Sequence, residues 1–232
     1  MSEPLLTTET SPLDPAYLFE DYRSTVLRSP SKALVVPPAG LTELTGPKFG
    51  NGDIRDTDAD LTLHGSGEAI GERIIVHGAV TGLGKPVRNT LVEVWQANAA
   101  GRYIHQLDQH PAPLDPNFIG AGRCLTDDEG HYRFTTVKPG PYPWKNHDNA
   151  WRPAHIHFSL FGRAFTQRLV TQMYFAGDPL FYQDPIYNAV RDERARKRMV
   201  SSYDHSVTKA EWATGYRFDI ILGGAEATPV EG

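Results

Sequence analysis

The stretch WRPAHIHFSL, residues 151–160, sets two histidines one residue apart within an apolar run. In an extended chain alternate side chains share a face, so His155 and His157 project the same way, about 6.5 to 7 Å apart at the backbone. Two imidazoles so placed can meet at one metal ion. The plain alternative is a pair of half-exposed histidines on a solvent face. The surrounding PGPYPWKNHDNAWRPAHIHF weighs against it, because it crowds Tyr142, Trp144, Trp151 and Arg152 just upstream. Each of these alone reads as core or surface. Together they read as a pocket.

Two neutral imidazoles need further ligands. Cys124, in the strand-like GRCLTDDEG, is the only cysteine and reads as a buried structural thiol. A two-histidine, one-carboxylate iron(II) site would need an acid such as Asp108, Asp115 or Asp148, and the sequence singles out none of them. Phenolates are the other option. Tyrosine has an ordinary pKa of about 10, so only a hard, strongly Lewis-acidic metal would hold it ionised near neutrality. Iron(III) fits this demand and zinc, with its usual Cys and His ligands, fits less well.

The elements that must position these residues are short. From Gly71 onward GERIIVHGAVTG, NTLVEVWQA, HYRFTTV, AHIHFSLFG, RLVTQMYFAG and YRFDIILGG are apolar or β-branched segments separated by turns such as GLGKPVRN and TDDEGH. This predicts an all-β chain, a β-sandwich or barrel and of the two a β-sandwich core of mixed topology, with short helices, one of them within DPIYNAVRDERARKRMV. Residues 1–70 are rich in Pro, Thr, Ser and Gly, with one helix-like piece near PAYLFEDYRSTVLRSP, and read as an N-terminal arm; residues 71–232 carry the strand-like segments and read as the domain that holds the two histidines.

Composition narrows the function classes. With 40% hydrophobic and 22% charged residues in 232, a folded domain is expected rather than a disordered chain. A net charge of −5 and the mixed run RDERARKR, residues 191–198, point to a solvated helix face rather than a nucleic-acid surface. One cysteine excludes an intrachain disulfide and a CxxC redox motif. No basic-then-apolar leader opens the sequence and no run of about 18 apolar residues occurs, so the expectation is a soluble, cytoplasmic protein with no membrane partner. No GxGxxG follows a strand, which leaves a dinucleotide-binding reading without support.

Five segments, IGERIIVHGAV, NTLVEVWQANAAGRY, APLDPNFIGAGRCLTDDEGHYRF, VKPGPYPWKNHDNAWRPAHIHF and YRFDIIL, resemble the intradiol ring-cleaving dioxygenases, in order and with shared spacing across roughly residues 20–222. The resemblance implies one non-haem Fe(III) held by two tyrosines and two histidines, which fall on Tyr103, Tyr142, His155 and His157. It also implies a catalytic arginine at Arg152 and pocket positions at Tyr22, Trp144, Gln172 and Ile186, with Tyr142 acting as both ligand and base. Within the family the protocatechuate branch is favoured, because catechol-cleaving relatives carry a helical dimerisation domain ahead of the sandwich. The implied activity is cleavage of protocatechuate with O2 to 3-carboxy-cis,cis-muconate, in the β-ketoadipate pathway of aromatic catabolism. The implied partner is a homologous α subunit in an (αβ)n oligomer. Rival readings are an intradiol dioxygenase for catechol, hydroxyquinol or another diol, and a non-catalytic β-sandwich binding subunit.

Overall fold

A computed structural model describes residues 13–33, 54–161 and 168–231. Strands dominate: β1 (Arg73–Gly82), β2 (Lys85–Pro86), β3 (Leu91–Trp95), β4 (Ala121–Leu125), β5 (His131–Val137), β6 (Tyr142–Pro143), β7 (Trp151–Arg152), β8 (His155–Phe161), β9 (Arg168–Phe175), β10 (Val200–Tyr203), β11 (Thr214–Arg217) and β12 (Ile220–Leu222). Among the described residues three short α-helices accompany them, α1 (Arg23–Arg28), α2 (Pro185–Ala189) and α3 (Glu193–Lys197). Of the expected arm, residues 1–12 and 34–53 lie outside the described residues.

Ten strands form one curled, mixed sheet in the order β12–β1–β11–β10–β9–β8–β3–β4, with β2 and β5 also paired to β1. Strand β1 is its hub. It runs antiparallel to β5 from Arg73 to Ala79, and parallel first to β11 and then to β12. The segment YRFDIIL, expected as one strand, is therefore two. Between them Phe218 is buried, its N–H donates to the His77 carbonyl at 2.8 Å, and its own carbonyl accepts from the Tyr132 hydroxyl at 2.6 Å. Gly78 stands opposite this jog, where a Cβ would come within 1.9 Å of the Phe218 carbonyl oxygen, so only glycine fits.

The core lies against the inner faces of these strands. Ile74, Val76 and Val80 from β1, Val92 and Val94 from β3, Phe134 from β5, Ile156, Phe158 and Leu160 from β8, and Met173 and Phe175 from β9 pack into one cluster. Fully burying side chains of this size contributes roughly 1.5–3 kcal/mol apiece. One departure from the sequence reading concerns helices. The region expected to supply one helix supplies two, α2 and α3, because Val190 between them is buried and extended and bridges to Pro15. Each half then starts afresh on an aspartate cap: Asp184 accepts from Ile186 N–H and Asp192 from Ala195 N–H. The strand-like GRCL is indeed within β4, whereas the short β10 is a strand that the apolar pattern did not mark out.

Candidate active site

The two-residue period of β8 divides its side chains. Ile156, Phe158 and Leu160 enter the core, and His155 and His157 stand on the opposite face. Register completes the row. Trp95 of β3 lies opposite His157, and Gln172 of β9 lies on its other side, while His155 is opposite Tyr174. Trp95 stacks flat on His157, with ring centroids 4.8 Å apart and planes 5° from parallel. The two imidazole rings are 4.9 Å apart at a steep angle.

The tyrosines arrive from two connections that close over this row. Tyr142 begins the β6–β7 hairpin, where it pairs directly with Arg152. Tyr103 follows a tight loop in which the Asn98 carboxamide oxygen accepts from Ala100 and Arg102 N–H. Gly101 in that loop has φ +77°, and a Cβ there would lie 2.2 Å from the Pro141 carbonyl oxygen. Glycine thus lets the two connections touch, and the Tyr103 and Tyr142 rings meet edge to face at 5.4 Å. Helix α1 is tied to the same hairpin by Arg23 N–H to the Asn146 carbonyl and Ser24 N–H to its side chain, which seats Tyr22 against Trp144, ring centroids 5.2 Å apart.

Hydrogen bonds define the state of each ring. His155 Nδ1 lies 2.7 Å from the Pro153 carbonyl, which can only accept, so Nδ1 carries the proton and Nε2 keeps its lone pair. His157 Nδ1 lies 2.8 Å from Glu231 Oε2, which fixes the same tautomer. Burial, with Arg152 and His157 nearby, drops the His155 pKa well below the usual histidine value, and burial also lowers that of His157. Both rings are therefore neutral with bare Nε2 atoms. Burial tends to raise the Glu231 pKa, but its bonds to His157 and Gln172 prevail and the carboxyl is held below its usual range.

The Tyr103 hydroxyl is buried and finds no hydrogen-bond partner among the described residues. Burial and the neighbouring Tyr142 push its pKa well above the usual tyrosine value. A buried orphan of this kind is costly unless something else satisfies it. Its ring sits 6.4 Å from that of His157, and the Tyr142 hydroxyl lies 3.3 Å from His155 Nε2. Two phenol oxygens and two lone-pair imidazole nitrogens in one pocket suit a hard trivalent cation, which would satisfy Tyr103 as a phenolate. The carboxylate alternative does not assemble. Asp108 accepts from Tyr103 and His110 N–H, Asp115 from Ile70 and Asn117 N–H, and Asp148 pairs with Arg23 at the surface. Among the described residues no three His, Cys, Asp or Glu side chains are grouped to share a metal.

Arg152 is the fixed cation of the site. It is 2% exposed, and its guanidinium grips the fully buried Asp184 through Nε at 3.2 Å and Nη2 at 2.8 Å. Nη2 also donates to Gln172 Oε1 at 2.6 Å and the Tyr174 hydroxyl at 3.0 Å, and Nη1 reaches His155 Nε2 at 3.1 Å and the Tyr142 hydroxyl at 3.4 Å. The Trp144 ring lies 5.3 Å from its central carbon. Burial works against the charge, but Asp184 outweighs it and holds the guanidinium pKa well above normal.

The residues singled out from sequence thus fall in one neighbourhood: Tyr22 on Trp144, Trp144 on Arg152, Gln172 on Arg152, and the Ile186 N–H on Asp184. Sequence reasoning missed Trp95, Tyr174, Asp184 and Glu231. Strand register could have indicated the first two, since Trp95 ends β3 and Tyr174 follows Gln172 on β9. Asp184, before Pro185, reads only as a helix cap, and nothing local marks Glu231. Cys124 is buried, as expected, and its thiol is pushed up to about 12.

A family model described as Dioxygenase matches residues 44–224, and one for the protocatechuate 3,4-dioxygenase beta subunit N terminus matches residues 15–38. The chain is 56% identical over 233 residues to the protocatechuate 3,4-dioxygenase beta chain of Burkholderia cepacia, covering 99% of both chains. It is 32% identical to the protocatechuate 3,4-dioxygenase alpha chain of Pseudomonas putida, over 69% of this chain and 76% of that one. Among solved structures, 3-chlorocatechol 1,2-dioxygenase from Rhodococcus opacus 1CP matches with a TM-score of 0.56 at 25% identity, over 78% of this chain and 71% of that chain.

Proposed function

The chain belongs to the intradiol dioxygenase family, and from that premise we propose that it opens the ring of protocatechuate between its two hydroxylated carbons, inserting both atoms of O2 to give 3-carboxy-cis,cis-muconate. The observation that carries this reading is the meeting of two phenols and two unprotonated imidazole nitrogens in one part-buried cluster. Tyr103, Tyr142, His155 and His157 would hold non-haem iron(III). That ion would supply Lewis acidity, favouring the doubly ionised diol and readying its ring for O2.

The chain's own groups do the rest. The Tyr142 oxygen borders both Arg152 and His155, so as a phenolate it would be placed to take the proton of the second ring hydroxyl. Arg152 cannot drift, because Asp184 clamps two of its nitrogens; its planar charge offsets negative charge that develops on the ring. Tyr22, Trp144, Gln172 and Ile186 form the walls that orient the substrate. Residues 1–70 act as an arm that covers a partner, and residues 71–232 as the iron-binding domain. The partner is a homologous α subunit, in keeping with the likeness to both beta and alpha chains. None of the described helices is long and apolar enough to cross a membrane, and the proposed location is the cytoplasm.

Iron analysis, a visible spectrum and an oxygen-uptake assay with protocatechuate, catechol and hydroxyquinol test the reading together. The expected result is one iron per chain, a tyrosinate-to-iron(III) absorption band, and fastest turnover with protocatechuate. A colourless, iron-free protein after growth with ample iron would overturn the metal assignment. Faster turnover of catechol or hydroxyquinol would overturn the substrate assignment.

A further inference from the structure

Glu231 lies past residue 224, where the family match ends, yet its side chain enters the site. The segment before it folds back on the sheet. Thr228 exchanges hydrogen bonds with Ile221, Val230 packs on the core, and Glu231 N–H donates to the Val170 carbonyl of β9 at 2.8 Å. This places one carboxylate oxygen, Oε2, within 2.8 Å of His157 Nδ1 and 2.9 Å of Gln172 Nε2.

We propose that Glu231 is a positioning residue for the metal site, an inference that rests on His157 being an iron ligand. By accepting from Nδ1 it holds the His157 proton away from Nε2 and raises the basicity of that nitrogen toward a cation. It also sets the direction of the Gln172 amide. A carboxylate only accepts and a guanidinium only donates, so Gln172 satisfies both neighbours only with Nε2 toward Glu231 and Oε1 toward Arg152. One carboxylate thus orients a proposed ligand directly and supports the Arg152 clamp through a single intervening side chain.

The test compares Glu231→Gln and Glu231→Leu with the wild type, after expression with iron and whatever companion chain the wild type needs. Two quantities are measured: the rate at which a strong chelator strips iron, followed by metal analysis and loss of the visible band, and the Tm of the stripped protein. Glu231→Gln keeps shape and an accepting oxygen but loses the charge; iron release should be about 10-fold faster, with an unchanged metal-free Tm. Glu231→Leu removes both bonds, and release should quicken by up to ~100-fold. Unaltered release in both variants overturns the role of Glu231. So does faster release confined to a variant whose metal-free Tm falls, which marks a structural role alone. A wild type that holds no iron overturns the ligand reading itself, a result recognisably different from an iron-bearing wild type with indifferent variants.

Discussion

Strand β8 carries Ile156, Phe158 and Leu160 into the core and His155 and His157 to the other side, one residue apart along the same backbone. On the core face each side chain is held by contact with many others, from β1, β3, β5 and β9, and none by a directed bond. On the site face each ring is held by one named acceptor: the Pro153 carbonyl for His155 and Glu231 for His157. Packing sums many weak, non-directional contacts, so a lost methylene is partly absorbed by its neighbours. A ligand atom has no such reserve. The two faces should therefore fail differently, the inner one gradually in stability and the outer one abruptly in function.

The sharpest contrast should come from His155→Ala, which deletes a proposed ligand. Turnover should fall by about ten-thousandfold, equivalent to ~5 kcal/mol of activation free energy, while the metal-free protein keeps its wild-type far-ultraviolet spectrum. Retention of full iron occupancy in this variant would erase the distinction between the faces at that position.

Asp184→Ala tests whether the site face also bears on stability. It would strand the Arg152 guanidinium, 2% exposed, without its carboxylate. Breaking one half of a buried ion pair costs about 3–5 kcal/mol, so the urea midpoint should drop markedly and activity should fall with it. An unchanged midpoint would show that water or Gln172 and Tyr174 can replace Asp184.

Ile156→Val is the matching change on the inner face. It should cost about 0.5–1.5 kcal/mol in the same urea titration and leave the KM for protocatechuate within a factor of two. A KM shift of tenfold would mean that the two faces of β8 are coupled through its backbone.

The mildest effect concerns Cys124, on the core side of β4, whose raised pKa of about 12 keeps the thiol protonated in the native protein. The unfolded thiol ionises near 8.5, so this group leaves stability untouched below that pH and withdraws it as pH rises from there toward 12. Iodoacetamide at pH 8 should leave native Cys124 unmodified by mass spectrometry and label it promptly in denaturant. Rapid labelling of the native protein would show that this part of the core opens readily.

How far the sequence could be read depended on distance along the chain. The strand at His155–Phe161 was legible because HIHFSLF alternates polar and apolar residues, and the resemblance to a known family supplied the tyrosines. The jog at Phe218 and Asp219 was not, because YRFDIIL looks continuous until Gly78, 140 residues earlier, is seen to need room for a carbonyl. Strand β10, VSSY, was not legible either, since it shows no apolar alternation and only Ser201 is buried within it. Asp184 and Glu231 act on partners 32 and 74 residues away, and a local pattern cannot encode such a pairing.

The hub position of β1 has a kinetic corollary. Its residues Ile74–Gly82 pair with β11 and β12, so the central strand stays half-bonded until residues 214–222 are available. Such distant pairings must overcome a large loop-closure entropy first, which places chains of this kind toward the slow, millisecond-to-second end of folding and beyond. On the ribosome, the pocket that Glu231 borders can only close once synthesis is nearly through this stretch. Metal capture at the proposed ligand His157, with the carboxylate proposed to support it, would thus follow synthesis of residues 214–231, and the exposed strands that wait for those residues are the species most open to aggregation.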